Sequence, residues 1–229
     1  MISLAAFLGN PGQQYCKNRH NVPWLLADKL PTDSHVLWRK KFKGLWADIE
    51  GSRLPDYLPD QPAIPDKIHF LKPATFMNRS GESVIEAATF FKIKPEGIIV
   101  IHDELELPLG TISLKFGGGL GGHNGLRSMK ACFNTADFWR LRIGIGRPDS
   151  RLPGQGGKEG SGEGIVEWVL SDFDKNEMPV LEPALEAASG LLLNLLARGP
   201  EKFLPQWSKV KIIENTNDKN SIANIPVLG

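Results

Sequence analysis

The run Gly97-Ile98-Ile99-Val100-Ile101-His102-Asp103-Glu104-Leu105-Glu106 decides how this chain folds. Ile98 to Ile101 are all β-branched, with no polar position among them. Such a run describes a strand buried on both faces, as in a parallel sheet covered by helices. The run then meets three carboxylates within four residues. Open α/β sheets place their chemistry at the carboxyl ends of central strands, so these acids are site candidates; the alternative is a solvated turn.

Outward from this strand the pattern repeats. Residues 2–8 form a second buried strand, stopped by the turn Gly9-Asn10-Pro11-Gly12. Lys67 to Leu71, Thr111 to Phe116 and Phe138 to Ile145 read as three more. In the last, Trp139, Leu141, Ile143 and Ile145 alternate with Phe138, Arg140 and Arg142, so one face is apolar and the other carries two arginines. Segments around 35–38 and 42–50 read as a short hairpin exposing Arg39, Lys40, Lys41 and Lys43. Helices are expected over Arg19–Leu30, with Pro23 in the first turn, and up to Phe91 from a cap at Ser80 or Ser83. Two more are expected over Asn124–Phe133 and Glu182–Arg198, the latter with Pro183 in its first turn and Gly199 at its end. Residues 54–66, with four prolines, read as loop, and so do residues 149–164, with six glycines. Strands alternating with helices give one α/β domain over residues 1–211, followed by a polar, loose tail over 212–229.

Composition bounds the function. The 229 residues carry 27 Lys plus Arg against 26 Asp plus Glu, a net charge of +1, which excludes a blanket polyelectrolyte binder. The distribution is uneven. Thr111 to Leu152 holds seven basic residues and two acids, whereas Gly160 to Glu201 holds two basic residues and eight acids. The basic segment suits a phosphate backbone. Two cysteines make no disulfide framework, the start has no signal-peptide pattern, and the run Leu191–Ala197 is too short to span a bilayer, so a cytoplasmic protein is expected.

Three motifs carry chemistry. Gly117 to Gly125 holds six glycines in nine residues and runs into His123-Asn124 at a helix start, where backbone N–H groups can meet an anion. It lacks the context of a dinucleotide fingerprint or a P-loop, and an oxidoreductase would need its glycines directly after the first strand. Arg19-His20-Asn21 follows that strand. Phe76-Met77-Asn78-Arg79-Ser80-Gly81 follows another; there Met77 reads as core and Asn78 as a helix cap. No His, Cys or carboxylate set has metal-ligand spacing.

Taken in order, these runs resemble the bacterial-type peptidyl-tRNA hydrolase family. The resemblance rests on Leu8-Gly9-Asn10-Pro11-Gly12 with Tyr15, Arg19-His20-Asn21, Lys72 to Gly81, His102 to Pro108, Gly117 to Leu126 and Arg140 to Pro148. It implies a single domain around a central mixed sheet flanked by helices, a monomer needing no metal or cofactor, and cleavage of the ester between a peptide and the 3′-terminal ribose of tRNA. It makes His20 the base, oriented by Asp103. It puts Asn10, Tyr15, Met77, Asn78, His123 and Asn124 along the peptide and 3′-end cleft, and Lys115 and Arg142 on the tRNA-facing side. The chemistry is consistent with these residue types. An imidazole is a competent base near neutral pH, a carboxylate can fix its tautomer, and asparagine amides can grip a peptide backbone without reading side chains. Asn18, Pro23, Ser113 and the long segment 149–164 depart from the family pattern. A non-enzymatic RNA-binding relative of the same fold is the alternative, and its catalytic set would be expected to have decayed.

Overall fold

In the computed structural model, which describes residues 1–30, 36–57, 64, 66–148, 162–214 and 222–223, the central strand lies where its sequence demands. Strands β1 (Leu4–Phe7), β2 (Arg39–Lys41), β3 (Gly44–Glu50), β4 (Lys67–Pro73), β5 (Ile98–Glu104), β6 (Thr111–Phe116), β7 (Trp139–Gly144) and β8 (Val210–Lys211) form one sheet in the order β2-β3-β4-β1-β5-β7-β6-β8. The middle four, β4, β1, β5 and β7, are parallel, and antiparallel strands complete both edges, so the sheet is mixed.

Alternation splits the core in two. Ala5, Phe7, Ile99, Ile101, Leu141 and Ile143 face α1 (Val22–Ala27) and α6 (Met178–Arg198). Leu4, Ala6, Leu8, Ile98 and Val100 face α3 (Ser80–Phe91) and α4 (Asn124–Phe133). Both faces are covered, which is why β1 and β5 read as unbroken apolar runs. Helix α6 is long and apolar enough to cross a bilayer, yet 72% of that stretch is buried inside the protein, where it serves as the main core helix.

Several boundaries differ from the sequence reading. Strand β2 begins at Arg39, not 35, and the hairpin turns through Phe42 and Lys43 at φ 55° and 52°. Neither residue advertises a left-handed turn; Phe42 is held there by burial against Trp46, Phe90 and Phe91. Leu54–Tyr57 forms a short helix, α2, within the proline-rich stretch. No serine caps α3 from the N-cap position. Arg79 occupies it, the Ser80 hydroxyl donates to the Met77 carbonyl, and Ser128 of α4 accepts from the Gly81 N–H.

Helix α6 starts at Met178, so Pro183 lies inside it; its buried face outweighs one missing backbone bond. Gly162 and Gly164, expected in a loop, open helix α5 (Gly162–Leu170), and residues 149–161 lie outside the described residues. Within the expected tail, Ile212 is buried, and β9 (Ile213–Glu214) pairs with β10 (Ile222–Ala223); 215–221 and 224–229 lie outside the described residues.

Candidate active site

Asp103, one residue before the end of β5, has its side chain almost fully buried, and two histidines converge on one of its oxygens. His20 Nδ1 lies 2.7 Å from Asp103 Oδ1, and His123 Nε2 lies 2.9 Å from the same atom. The neighbours of the His123 ring fix its tautomer. Its Nδ1 accepts from the backbone N–H groups of Gly125 and Leu126 at 3.1 and 3.4 Å, so the proton is on Nε2 and is donated to Asp103. An ionised carboxylate has no proton to give, so His20 also donates, from Nδ1, which in the neutral ring leaves the lone pair on Nε2.

Burial alone pushes the Asp103 carboxyl upward. The electrostatic pull of the His20 and His123 N–H groups and the hydrogen bonds they donate outweigh it and hold the group well below the ordinary carboxylate value. His102 points to the other face of β5. Burial, with His123 beside it, keeps it neutral, far below the ordinary imidazole value, and its Nε2 has no partner among the described residues.

The chain brings His20 here through two side-chain amides. His20 lies in a 3₁₀ turn, Arg19–Asn21, whose start is capped by the Asn18 side chain. The Asn21 amide pairs with the Asn10 backbone in both directions, accepting from Asn10 N–H at 2.7 Å and donating to Asn10 C=O at 3.0 Å. That ties the loop after β1 to the histidine turn. Asn10 Oδ1 accepts from Met77 N–H at 2.8 Å, which turns the Asn10 amide donors away from Met77 and leaves them without a partner among the described residues. In the sequence, the one signal for Asn21 is its adjacency to His20.

Glycine closes the other side. Gly121 and Gly122, at φ 58° and 76°, turn the chain into His123, which caps α4 with its ring. A side chain at Gly125 would strike Met77 Sδ and Leu8, so α4 approaches β1 only because that position is bare. The expected anion site at this helix start is altered: the Gly125 and Leu126 N–H groups are taken by His123.

A cavity of about 400 Å³ opens at this point, lined by His20, Asp103, His123, Asn124, Arg127 and α5 residues including Ile165, Val166 and Val169. Asn124 is exposed at its rim, where its Oδ1 accepts from Arg127 at 3.4 Å. Met77 is buried, Asn78 exposed and Tyr15 half-buried; neither Asn78 nor Tyr15 makes a side-chain hydrogen bond within the described residues.

The basic segment is less of a surface than its charge implies. Arg140 is 1% exposed and donates to the carbonyls of Gly119 and Gly118 at 2.6 and 2.9 Å, bracing the glycine turn. Arg142 donates to Glu104 at 3.4 Å and to Ser113 Oγ at 2.6 Å, and Arg147 is paired with Glu106. Exposed Arg127 and Lys130 and half-buried Lys115 make no ion pair among the described residues.

His20, Asp103 and His123 are also the set of described residues that can gather a metal, their ligand atoms lying within 4.8 Å of one another. A tetrahedral ion with bonds of ~2.0–2.2 Å would hold such atoms roughly 3.3 Å apart, each with a free lone pair. Here both nitrogens carry protons aimed at one oxygen at hydrogen-bond distance, and His123 has its lone pair turned to the α4 backbone. The donor set therefore fits a hydrogen-bonded triad better than an ion.

A family model described as peptidyl-tRNA hydrolase matches residues 4–215. A protein of Treponema pallidum (strain Nichols) named peptidyl-tRNA hydrolase is 42% identical over 215 residues, covering 93% of this chain and 97% of that protein. One of the same name from Desulfitobacterium hafniense (strain Y51) is 41% identical over 208 residues, covering 91% of this chain and all of that protein. Among solved structures, peptidyl-tRNA hydrolase from Acinetobacter baumannii superposes with a TM-score of 0.71 at 33% identity, covering 98% of this chain and 97% of that chain.

Proposed function

The chain belongs to the peptidyl-tRNA hydrolase family, and from that premise we propose how its cleft works. It hydrolyses peptidyl-tRNA, at the ester that joins the peptide to the 3′-terminal ribose. His20 Nε2 takes a proton from the attacking water while His20 Nδ1–H stays on Asp103, which stabilises the imidazolium as it forms. His123, held by the same oxygen and by α4, keeps Asp103 ionised and in place. The Asn10 amide donors face the scissile carbonyl, where they stabilise the oxyanion, and Met77, Asn78, Asn124 and Tyr15 line the path of the peptide and the 3′ end. Phosphates meet Lys115, Arg127 and Lys130, with Arg142 behind them holding Glu104 and Ser113. No step is assigned to a metal or cofactor. The enzyme works as a cytoplasmic monomer.

One observation carries this reading. The Asp103 carboxylate is buried beneath a histidine whose second nitrogen is left for a water in a cavity. The test is release of tRNA from an N-blocked aminoacyl-tRNA, with the unblocked form spared and activity lost in His20→Ala. Undiminished turnover in that variant contradicts the mechanism. A wild-type protein that binds tRNA and releases none is instead an RNA-binding relative.

A further inference from the structure

Arg19 stands next to the proposed base yet points away from the cavity. It is 2% exposed. Its guanidinium meets both carboxylate oxygens of Glu177, at 3.0 and 2.9 Å, and its Nε donates to Ser171 Oγ at 3.3 Å. It lies 3.8 Å over the Trp168 ring and 4.8 Å from that of Phe173. Its backbone N–H donates to the Ser171 carbonyl at 2.9 Å, and Asn18 pairs as an isolated bridge with Asp172. Contacts to five residues of the segment 168–177 thus tie it to the residues around His20.

That segment joins α5 to α6. Glu177 is the N-cap of α6, whose body is buried in the core, and its carboxylate also accepts from Asp174 N–H at 2.7 Å. Trp168 is held from the far side by its ring N–H, which donates to the Gly146 carbonyl at 2.8 Å. The C-terminal end of α5 is therefore pinned between a fixed core helix and the histidine turn. Its Ile165, Val166 and Val169 wall the cavity, and Val166 remains 52% exposed. A bidentate, aromatic-stacked arginine suits such a clamp, because its planar fork fixes direction as well as charge; a lysine would supply only the charge.

We propose that Arg19 is a positioning residue whose ion pair with Glu177 holds α5 as the apolar wall of the catalytic cavity, so that substrate binding depends on a contact outside that cavity. The proposal rests on the hydrolase reading for its kinetic consequence and on geometry alone for the clamp. Glu177→Gln is the milder variant, since it keeps a hydrogen-bond acceptor and removes the charge; Arg19→Lys and the double variant complete a cycle.

Each single variant is expected to raise KM roughly fivefold while kcat stays within about twofold, with the double no worse than the singles, as for a shared interaction that acts on binding. Amide hydrogen exchange is expected to rise across α5 and to stay unchanged in α4. A folded Glu177→Gln protein with unaltered KM and unaltered α5 exchange overturns the clamp. So does a variant that only melts earlier, which would make the pair a structural staple. If the wild type itself fails to cleave blocked aminoacyl-tRNA, the hydrolase reading falls, and the exchange measurement alone decides whether the clamp exists.

Discussion

Asp103→Asn asks the site its sharpest question. Both imidazoles donate to a single oxygen at 2.7 and 2.9 Å, and an amide oxygen in that place still accepts. Ring orientation survives; what disappears is the negative charge that steadies His20 once it holds two protons. With a charge separation of ~4 Å and an effective dielectric of ~20, that loss is about 4 kcal/mol, or about 10³ in rate. The Asp103 side chain is 2% exposed, so solvent relieves little of it. If the amide turns its NH₂ toward the rings, His20 is forced into the wrong tautomer and the loss approaches ~10⁴.

Steady-state release of tRNA from N-acetyl-aminoacyl-tRNA measures this directly. The expected result is a fall of about 10³–10⁴ in kcat with KM within about twofold. A folded variant losing less than about tenfold would refute the charge argument, because the buried carboxylate would then be doing no more than a neutral acceptor does. Asp103 is held below its ordinary value, so the wild type draws stability from its ionised form above the unfolded carboxylate pKa and loses it as pH falls further. The variant should therefore lose less stability than the wild type in strong acid.

Three further substitutions follow from the packing. Burial pushes His69 down from 6.5 to about 4, so it is neutral in the fold and the wild type loses stability as pH falls from 6.5 towards 4. His69→Phe should remove about 2–3 kcal/mol of that loss, read as the difference in urea unfolding between pH 7 and pH 4.5; equal losses in both proteins would count against it. Arg140→Met removes the donors that brace Gly118 and Gly119, so amide exchange over Gly117–Asn124 should rise and kcat/KM should fall about tenfold, whereas unchanged exchange would contradict the bracing role. Asn21→Ala breaks both bonds to the Asn10 backbone and should cost about 1–3 kcal/mol in thermal or urea unfolding together with a drop in kcat; a variant as stable and active as the wild type would show that the loop needs no such tie.

The α/β class, the buried strand β5 and its acidic end were written in local sequence. An unbroken β-branched run this short suits a strand covered on both faces, and carboxylates on such a strand have to find partners. The limits of α4 were equally legible, from the glycine turn before it and the polar residues beyond Phe133. His20 and Asp103 were named through a family likeness; residue types alone left His20 indistinguishable from any histidine at a helix start. Their meeting across 83 positions is decided by how β1 and β5 lie side by side.

Charge counting misled most. Seven basic residues between Thr111 and Leu152 looked like one phosphate-facing surface. Period 2 places Arg140 and Arg142 on one face of β7, but it cannot say that this face is closed by the glycine turn and Glu104, since those partners arrive from other strands. The helix α5, the tautomer of His123 and the Arg19–Glu177 clamp were likewise invisible, because each depends on groups brought together from distant parts of the chain. Sequence by itself determined which segments had to be buried and which residue types were available for catalysis. Tertiary structure alone decided which charges are spent on neighbours and which remain for a substrate, because pairing a charge depends on the distance and direction of its partner, and neither is encoded in local pattern.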